Sequence, residues 1–262
     1  MIGVFDSGVG GLSVLHALRR ELPGEDFLYY ADSRHCPYGG QTAEAITARA
    51  VSITDHLIER GCRLIVVACN TATIAAIESL RAQYSLPFIG MEPALKPALA
   101  QTRSGVVGVL ATGAALAGEK FHRLAAAQAR PDARLITQPC PGLVEFVERG
   151  ELDTPALEAL LAGYVEPLLA AGADVLVLGC THYPFLRPVL RKRLPAAVQL
   201  LDTGAAVARQ TRRVLEREGL AHAREDGGRL AWETSGARAL VAPVVERLLD
   251  PALARCVLED PA

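Results

Sequence analysis

The fold is decided by residues 61–71, GCRLIVVACNT, where an apolar run ends in a cysteine and two polar residues. The same arrangement returns at residues 172–182, GADVLVLGCTH, displaced by 111 positions at both the leading glycine and the cysteine. Residues 3–8, GVFDSG, have a similar partner at 108–113, GVLATG, displaced by 105 positions. Two matches in the same order along the chain predict two α/β halves of like topology.

Short apolar runs alternate with stretches of helical periodicity. The predicted strands are Ile2–Phe5, Phe27–Ala31, Leu64–Ala68, Phe88–Gly90, Val106–Leu110, Arg134–Thr137, Val175–Gly179 and Gln199–Asp202. The predicted helices cover residues 12–21, 42–60, 72–83, 94–100, 114–128, 154–170, 185–193 and 204–218. Continuous apolar strands that alternate with helices are typical of parallel sheets covered on both faces. We therefore expect an α/β fold of two similar three-layer domains with mostly parallel sheets and an active site in the cleft between them.

The predicted boundary between the halves falls near Glu92-Pro93, where a strand ends and a proline interrupts the chain. Residues beyond about 205 have no partner in the repeat, and we expect them to return to the first half. The first predicted domain therefore comprises residues 1–93 together with 206–262, and the second comprises residues 94–205.

The composition excludes several classes of protein. Half of the 262 residues are apolar and 21% are charged, which excludes an intrinsically disordered chain. The net charge of −2 gives no electrostatic reason to expect a nucleic-acid partner. No apolar run reaches the roughly 18 residues of a membrane span, and Met1–Asp6 does not resemble a signal peptide. We expect a cytoplasmic protein with no membrane association.

Six cysteines lie in the chain, and in a reducing compartment they are free thiols rather than a disulfide framework. No C-x-x-C or H-E-x-x-H pair occurs, so no metal site is predicted. We interpret Cys62, Cys140 and Cys256 as small buried hydrophobic residues. Cys36 lies in a polar loop, and its role stays open.

Ligands of open α/β sheets bind beyond the carboxyl ends of the strands. Residues 6–11, DSGVGG, follow the first strand, but Ser13 stands where a dinucleotide-binding fingerprint needs its third glycine, and no P-loop lysine follows. The backbone amides of this turn can hold a carboxylate at a helix N-terminus. The alternative is an ordinary tight turn in which Asp6 is only a cap.

Cys69 and Cys180 each lie where a buried strand meets the start of a helix. A helix N-terminus favours the thiolate, so we expect a lowered thiol pKa at both positions. Asp6 can support Cys69 if the loops converge, and His182 can orient or polarise Cys180. The alternatives are a surface histidine or half of a metal site for His182, and an ordinary turn for Tyr38 and its neighbours.

Two thiols on two like domains suit one particular chemistry. Inverting an amino-acid α-carbon needs a base on one face and an acid on the other, and the roles exchange with direction. Pyridoxal phosphate, the usual electron sink, needs a lysine imine. The three lysines, Lys96, Lys120 and Lys192, do not follow strand ends. We therefore expect a mechanism without a cofactor.

Four segments together resemble the glutamate racemase family, in order, spacing and total length, from residue 2 to about 205, with a weaker match at 234–236. They are residues 3–11, GVFDSGVGG; residues 37–39, PYG; residues 68–73, ACNTAT; and residues 178–184, LGCTHYP. The resemblance implies interconversion of L- and D-glutamate, supply of D-glutamate for peptidoglycan, and no cofactor. It implies glutamate as the small-molecule partner and a homodimer as the candidate assembly, although the sequence does not fix the oligomeric state.

The resemblance also implies catalytic roles. Cys69 would act on the D-isomer with help from Asp6, and Cys180 on the L-isomer with help from His182 and Glu148. The residues implied for substrate binding are Asp6, Ser7, Tyr38, Gly39, Asn70, Thr71, Thr181 and His182. Among these, the backbone amides of Tyr38 and Gly39 would meet the side-chain carboxylate. The α-amino and α-carboxylate groups would be held by Ser7, Asn70, Thr71 and Thr181.

One departure and three rivals remain. Ala115 stands where the family often has a second threonine after Thr112, which puts one substrate hydrogen bond in doubt. An aspartate racemase or a related two-cysteine isomerase would share the fold and the thiols. A cysteine hydrolase would leave the second cysteine unexplained, and a non-catalytic binding module would tolerate serine at both positions.

Overall fold

Residues 1–222, 224 and 227–249 are described by a computed structural model, and Cys256 lies outside this part of the chain. The strands form two sheets in which every pairing is parallel. The strands are β1 (Ile2–Asp6), β2 (Phe27–Ala31), β3 (Leu64–Val67), β4 (Phe88–Ile89), β5 (Val106–Ala111), β6 (Arg134–Pro139), β7 (Val175–Leu178), β8 (Gln199–Leu201) and β9 (Leu230–Thr234). The expected parallel α/β architecture is confirmed.

Helices cover both sheets. They are α1 (Leu12–Glu21), α2 (Ala43–Glu59), α3 (Asn70–Gln83), α4 (Leu95–Gln101), α5 (Gly113–Ala117), α6 (Glu119–Ala127), α7 (Leu143–Glu148), α8 (Pro155–Ala170), α9 (Arg187–Arg193), α10 (Gly204–Arg217) and α11 (Arg238–Leu248). Short 3₁₀ turns lie at Ser33–His35, Tyr38–Gly40 and Tyr183–Leu186. Threonine side chains cap several helix starts, as Thr42 does by accepting from the Ala45 amide.

The two sheets repeat one plan. The first has the order β4-β3-β1-β2-β9, and the second, read in the same sense, has the order β8-β7-β5-β6. Gly3 pairs with Ile65 in the first sheet, and Gly108 pairs with Leu176 in the second. These partners are related by the 105- and 111-residue displacements seen in the sequence, so the internal repeat is a repeat of strand position and register.

The apolar core has three parts. One cluster is shared by both halves and includes Val4 of β1 and Leu178 of β7. A second lies between the first sheet and helices α2 and α3, and a third lies between the second sheet and helices α4 to α6. Alternate residues of each strand face opposite clusters, which explains why the strands read as continuous apolar runs.

The predicted helix over 114–128 is wrong as a single element. Gly118 is extended, with φ −67° and ψ 136°, and it divides the segment into α5 and α6. A Cβ atom on Gly118 would lie 2.5 Å from Ile74 of α3. The break therefore lets α3 approach the second half closely.

The sequence patterns did not indicate β9, α7 or α11. β9 extends the first sheet by pairing with β2, Tyr29 opposite Trp232, and α10 packs against α1. The domain boundaries near 93 and 205 stay a prediction. Among the helices of the described residues, none has both the length and the apolar composition needed to cross a bilayer.

Ile65 tests how strongly the sheet core stabilises the fold. Its side chain is 0% exposed on β3, whereas Ile58 on α2 is 38% exposed. Ile65→Ala should lower the free energy of unfolding by about 2–5 kcal/mol, because it leaves a cavity in a packed core. Ile58→Ala, the matched control, should change it by about 1 kcal/mol or less. Urea unfolding measures both, and equal losses would contradict the assigned core.

Candidate active site

Loops from both halves converge at the carboxyl ends of the strands and enclose one small cavity of about 10 Å³. That is about the room of one water molecule, so the cleft is closed. The residues that line it are Ser7, Pro37, Tyr38, Gly39, Cys69, Asn70, Thr71, Thr112, Val144, Cys180, Thr181 and His182. The remaining two predicted site residues, Asp6 and Glu148, are hydrogen-bonded to Thr181 and His182.

Cys69 directly precedes α3 and is its N-cap. Its sulfur accepts a hydrogen bond from the Ala72 amide at 3.4 Å, and the residue is 4% exposed. Burial raises the pKa of this thiol well above its usual value, and the nearby Asp6 carboxylate raises it further. The expectation of a lowered pKa at Cys69 is therefore wrong: the helix N-terminus and its amide favour the thiolate, but desolvation outweighs them.

Cys180 occupies the equivalent place after β7 but has different neighbours. Its sulfur lies 3.6 Å from Nδ1 of His182, and Nε2 of the same ring lies 2.6 Å from Oε1 of Glu148. Burial alone would lower the pKa of His182, but hydrogen bonds to Cys180, Cys36 and Glu148 raise it well above its usual value. These hydrogen bonds therefore favour the protonated form of the imidazole beside this sulfur.

Asp6 is fully buried at the end of β1. Its Oδ1 accepts from the Gly8 amide at 2.9 Å and from the Ser7 hydroxyl at 3.3 Å, and its Oδ2 accepts from the Thr181 hydroxyl at 2.9 Å. Burial raises the pKa of Asp6 to about 6, although the His182 cation and these hydrogen bonds hold it down. Asp6 thus links the loop after β1 in one half to the loop after β7 in the other.

The glycine-rich loop is shaped by side chains of the opposite half. Glu148 accepts from the Val9 amide at 2.7 Å. A Cβ atom on Gly8 would lie 2.0 Å from Oε1 of Glu148, and one on Gly10 would lie 2.3 Å from Nδ1 of His182. Neither glycine has a positive φ. These two positions therefore need glycine for close approach rather than for turn conformation.

A buried ion pair holds the segment that carries Tyr38 and Gly39. The Asp32 carboxylate accepts from the Tyr38 hydroxyl at 2.6 Å and from Arg49 of α2 at 2.8 and 3.0 Å. Burial alone would raise the pKa of Asp32, but the bonds from Arg49 and Tyr38, among others, lower it below its usual value. Arg49 was not predicted, because a lone arginine inside a helix is ordinary.

Two further contacts join the halves, and one polar atom has no partner. The Thr71 and Thr112 hydroxyls lie 3.1 Å apart, and the Ser13 hydroxyl donates to the Thr181 carbonyl at 2.8 Å. The side-chain oxygen of Asn70 is buried without a hydrogen-bond partner among the described residues. A buried acceptor of this kind needs a donor, which a ligand can supply.

The cavity wall also limits which groups it can hold. The three lysines are not among its lining residues, and Lys192 instead pairs with Asp153 at 2.7 Å. Cys36 adds a third thiol near the site, and its sulfur lies 4.0 Å from the Ser7 hydroxyl. Val144, also on the wall, was missed because nothing distinguishes it from a core valine in the sequence.

The two similar halves form a parallel α/β fold, and each half places a cysteine thiol at the same strand end of one shared cavity. The model of the Asp/Glu/Hydantoin racemase family matches residues 2–211, and the chain belongs to this family.

Individual relatives are similar over most of their length. A glutamate racemase from Herpetosiphon aurantiacus is 56% identical over 235 residues, which cover 90% of this chain and 92% of the relative. One from Ectopseudomonas mendocina is 60% identical over 215 residues, 82% of this chain and 81% of the relative. The crystal structure of Escherichia coli glutamate racemase with L-glutamate and the activator UDP-MurNAc-Ala has a TM-score of 0.82 and 34% identity, and covers 94% of each chain.

The raised pKa of Asp6 makes its contribution to stability depend on pH. An acid whose folded pKa lies above its unfolded value stabilises the fold at low pH, and this contribution is lost as pH rises from about 4 through about 6. Asp6→Asn removes the titration. The free energy of unfolding of wild type should therefore fall by on the order of 3 kcal/mol relative to that of the variant between about pH 4 and pH 7.

Urea unfolding of both proteins across this pH range measures the difference. Asp55→Asn, an exposed position on α2, is the matched control. Its free energy of unfolding should differ from that of wild type by a nearly constant amount. A constant offset for Asp6→Asn as well would contradict the raised pKa.

Proposed function

We propose that the protein interconverts L- and D-glutamate by means of two cysteine thiols, Cys69 and Cys180, and without a cofactor. The observation that carries the proposal is that these two thiols, from equivalent strand ends of the two halves, line one closed cavity. A single hydrolytic nucleophile would leave one thiol without a role. The glutamate racemases among the relatives support the choice of substrate.

The proton transfers follow from the two positions. In the direction from L- to D-glutamate, Cys180 as thiolate removes the proton from the α-carbon, and Cys69 as thiol delivers its own proton to the opposite face. Cys180 then carries the proton and Cys69 is the thiolate, which is the starting state for the reverse direction. Each thiol is thus base in one direction and acid in the other.

The electrostatics of the site support a resting state suited to L-glutamate. Burial and the Asp6 carboxylate raise the pKa of Cys69, so this sulfur holds a proton that it can donate. The His182 ring, whose pKa is raised, lies 3.6 Å from the Cys180 sulfur and when protonated can stabilise negative charge that develops there during proton transfer. Glu148 holds the imidazole ring in place through Nε2.

The polar groups of the cavity suit the charged groups of an amino acid. The unpartnered oxygen of Asn70 can accept from the substrate ammonium, which the Asp6 carboxylate also attracts. The start of α3 offers backbone N–H groups to the α-carboxylate, with hydroxyls of Ser7, Thr71 and Thr181 nearby. We assign the side-chain carboxylate to the backbone amides at Tyr38 and Gly39, where the distance from the thiols selects the length of the substrate.

We extend the proposal to the role of the reaction. D-glutamate made in the cytoplasm would supply peptidoglycan synthesis, and a homodimer is the candidate assembly. Aspartate is the alternative substrate, since a two-cysteine isomerase for aspartate would use the same pair of thiols.

Isotope exchange tests the reaction. Protein dialysed against a chelator and incubated with L-glutamate in heavy water should form D-glutamate carrying deuterium at the α-carbon. Cys69→Ser and Cys180→Ser should each lose racemisation by at least about 10²–10⁴-fold, because serine is a poor base at neutral pH. Cys62→Ser, a thiol in the core between the first sheet and its helices, is the matched control and should stay near wild type.

Three results would contradict the proposal. Near wild-type racemisation by either active-site variant would make that cysteine structural. Activity that appears only with added pyridoxal phosphate or a divalent metal would exclude the cofactor-free mechanism. Faster exchange of aspartate than of glutamate would favour the alternative substrate.

Arg49 is proposed as a positioning residue for the segment that holds the side-chain carboxylate. Arg49→Met leaves Asp32 without its bidentate partner and should loosen Tyr38 and Gly39. KM for glutamate should rise by about 10-fold or more, in line with a lost charged hydrogen bond of about 1.5–3 kcal/mol, and kcat should change less. Arg49→Lys should be intermediate, because lysine cannot form the bidentate pair.

Steady-state kinetics on both variants measures this split between KM and kcat. Arg63→Met, an exposed arginine after α2, is the control and should leave both constants unchanged. A loss confined to kcat would contradict the positioning role.

A further inference from the structure

Cys36 is a thiol near the catalytic groups that the proposed reaction does not use. A ligating atom of Cys36, one of Glu148 and one of His182 all lie within 4.8 Å of one another. Cys36 follows β2 in the first half, whereas Glu148 ends α7 and His182 follows β7 in the second half. The sequence separates these residues widely, so the cluster exists only in the folded chain.

The three donors form a set that suits Zn²⁺. A cysteine sulfur, an imidazole nitrogen and a carboxylate oxygen are the ligand types that this ion takes in proteins. Tetrahedral zinc with bonds of about 2.0–2.3 Å needs its ligands about 3–4 Å apart, so small side-chain rotations bring these atoms into range. On binding, the Cys36 thiol and the protonated imidazole would release their protons to solvent, and water would complete the coordination.

We propose that Cys36, Glu148 and His182 bind Zn²⁺ and that the bound ion inhibits the enzyme by clamping the two halves together. The closed cavity has the room of about one water molecule, so glutamate can enter only when the cleft opens. An ion that joins Cys36 of the first half to two residues of the second opposes that opening. The inhibition is therefore competitive with glutamate and reversed by a chelator.

The site is tested first by a readout that needs no activity. Co²⁺ added alone to the dialysed protein should give a thiolate-to-cobalt charge-transfer band in the near ultraviolet. Cys36→Ser and Cys36→Ala should lose the band. Cys62→Ser, the matched control, should keep it, and so should the double variant Cys69→Ser with Cys180→Ser. A band that survives in both Cys36 variants, or disappears in the double variant, overturns the site.

Inhibition is tested on the same proteins. Cys36→Ser keeps a hydroxyl beside His182 and should racemise glutamate without metal, and the metal-free rate of each protein is the reference for its own inhibition. The Zn²⁺ concentration for half-inhibition should rise by at least about 10–100-fold, because that is the loss when a residue that only hydrogen-bonds a ligand is removed, and Cys36 is itself a ligand. Zn²⁺ should raise the apparent KM of wild type and leave kcat unchanged. Equal inhibition of wild type and Cys36→Ser overturns the proposal, as does a lowered kcat at constant KM.

The inhibitory effect rests on the proposed function, but the metal site does not. The cobalt experiment and the inhibition experiment therefore test the two separately. A protein that gives the cobalt band but does not racemise glutamate keeps the metal site and contradicts the proposed function. A protein that racemises glutamate and keeps the band after Cys36→Ser contradicts the metal site alone.

Discussion

The hydrogen bonds that buried carboxylates accept across the cleft are the constraint on which the rest of the site depends. Asp6 and His182 are buried, and Glu148 is partly buried. Each is hydrogen-bonded to a group of the other half or of a neighbouring loop. A buried ionised group without a partner would be strongly unfavourable. The network therefore fixes how the two halves meet, and it sets the small size of the cavity between them.

The same network makes two equivalent thiols chemically different. Cys69 and Cys180 follow corresponding strands with the same register, yet one lies beside a carboxylate and the other beside an imidazole. Strand position alone would give both sulfurs the same environment. The difference comes from the neighbouring groups: Asp6 reaches Cys69 from the end of β1, whereas His182 lies two residues after Cys180 on the same loop.

Sequence analysis predicted the architecture well because its signals are local and repeated. Apolar runs of strand length predicted eight of the nine described strands, and the internal repeat predicted that the two sheets share one strand order. β9 was not predicted, since its sequence LAWET alternates weakly and lies at a sheet edge. The break at Gly118 was also missed. It depends on the close approach of Ile74, and local sequence patterns do not reveal contacts between residues so far apart in the chain.

The candidate site was predictable only in part for the same reason. Residues inside the motifs at strand ends, such as Cys69 and Thr181, do line the cavity. Arg49 acts from the middle of a helix, and its importance depends on the buried carboxylate of Asp32 that it meets. The pKa of Cys69 was predicted in the wrong direction, because a helix N-terminus can be read from sequence and the degree of desolvation cannot.

The glycines of the first loop show that the two halves have ceased to be interchangeable modules. Gly8 and Gly113 occupy equivalent positions in the repeat, yet a side chain at position 113 would meet nothing within 4 Å, whereas one at position 8 would collide with Glu148. Both halves have glycine at this place in the repeat, but only the position in the first half lacks room for a side chain. A chimera of the first half with a foreign second half would therefore need a carboxylate and an imidazole placed to match Gly8 and Gly10.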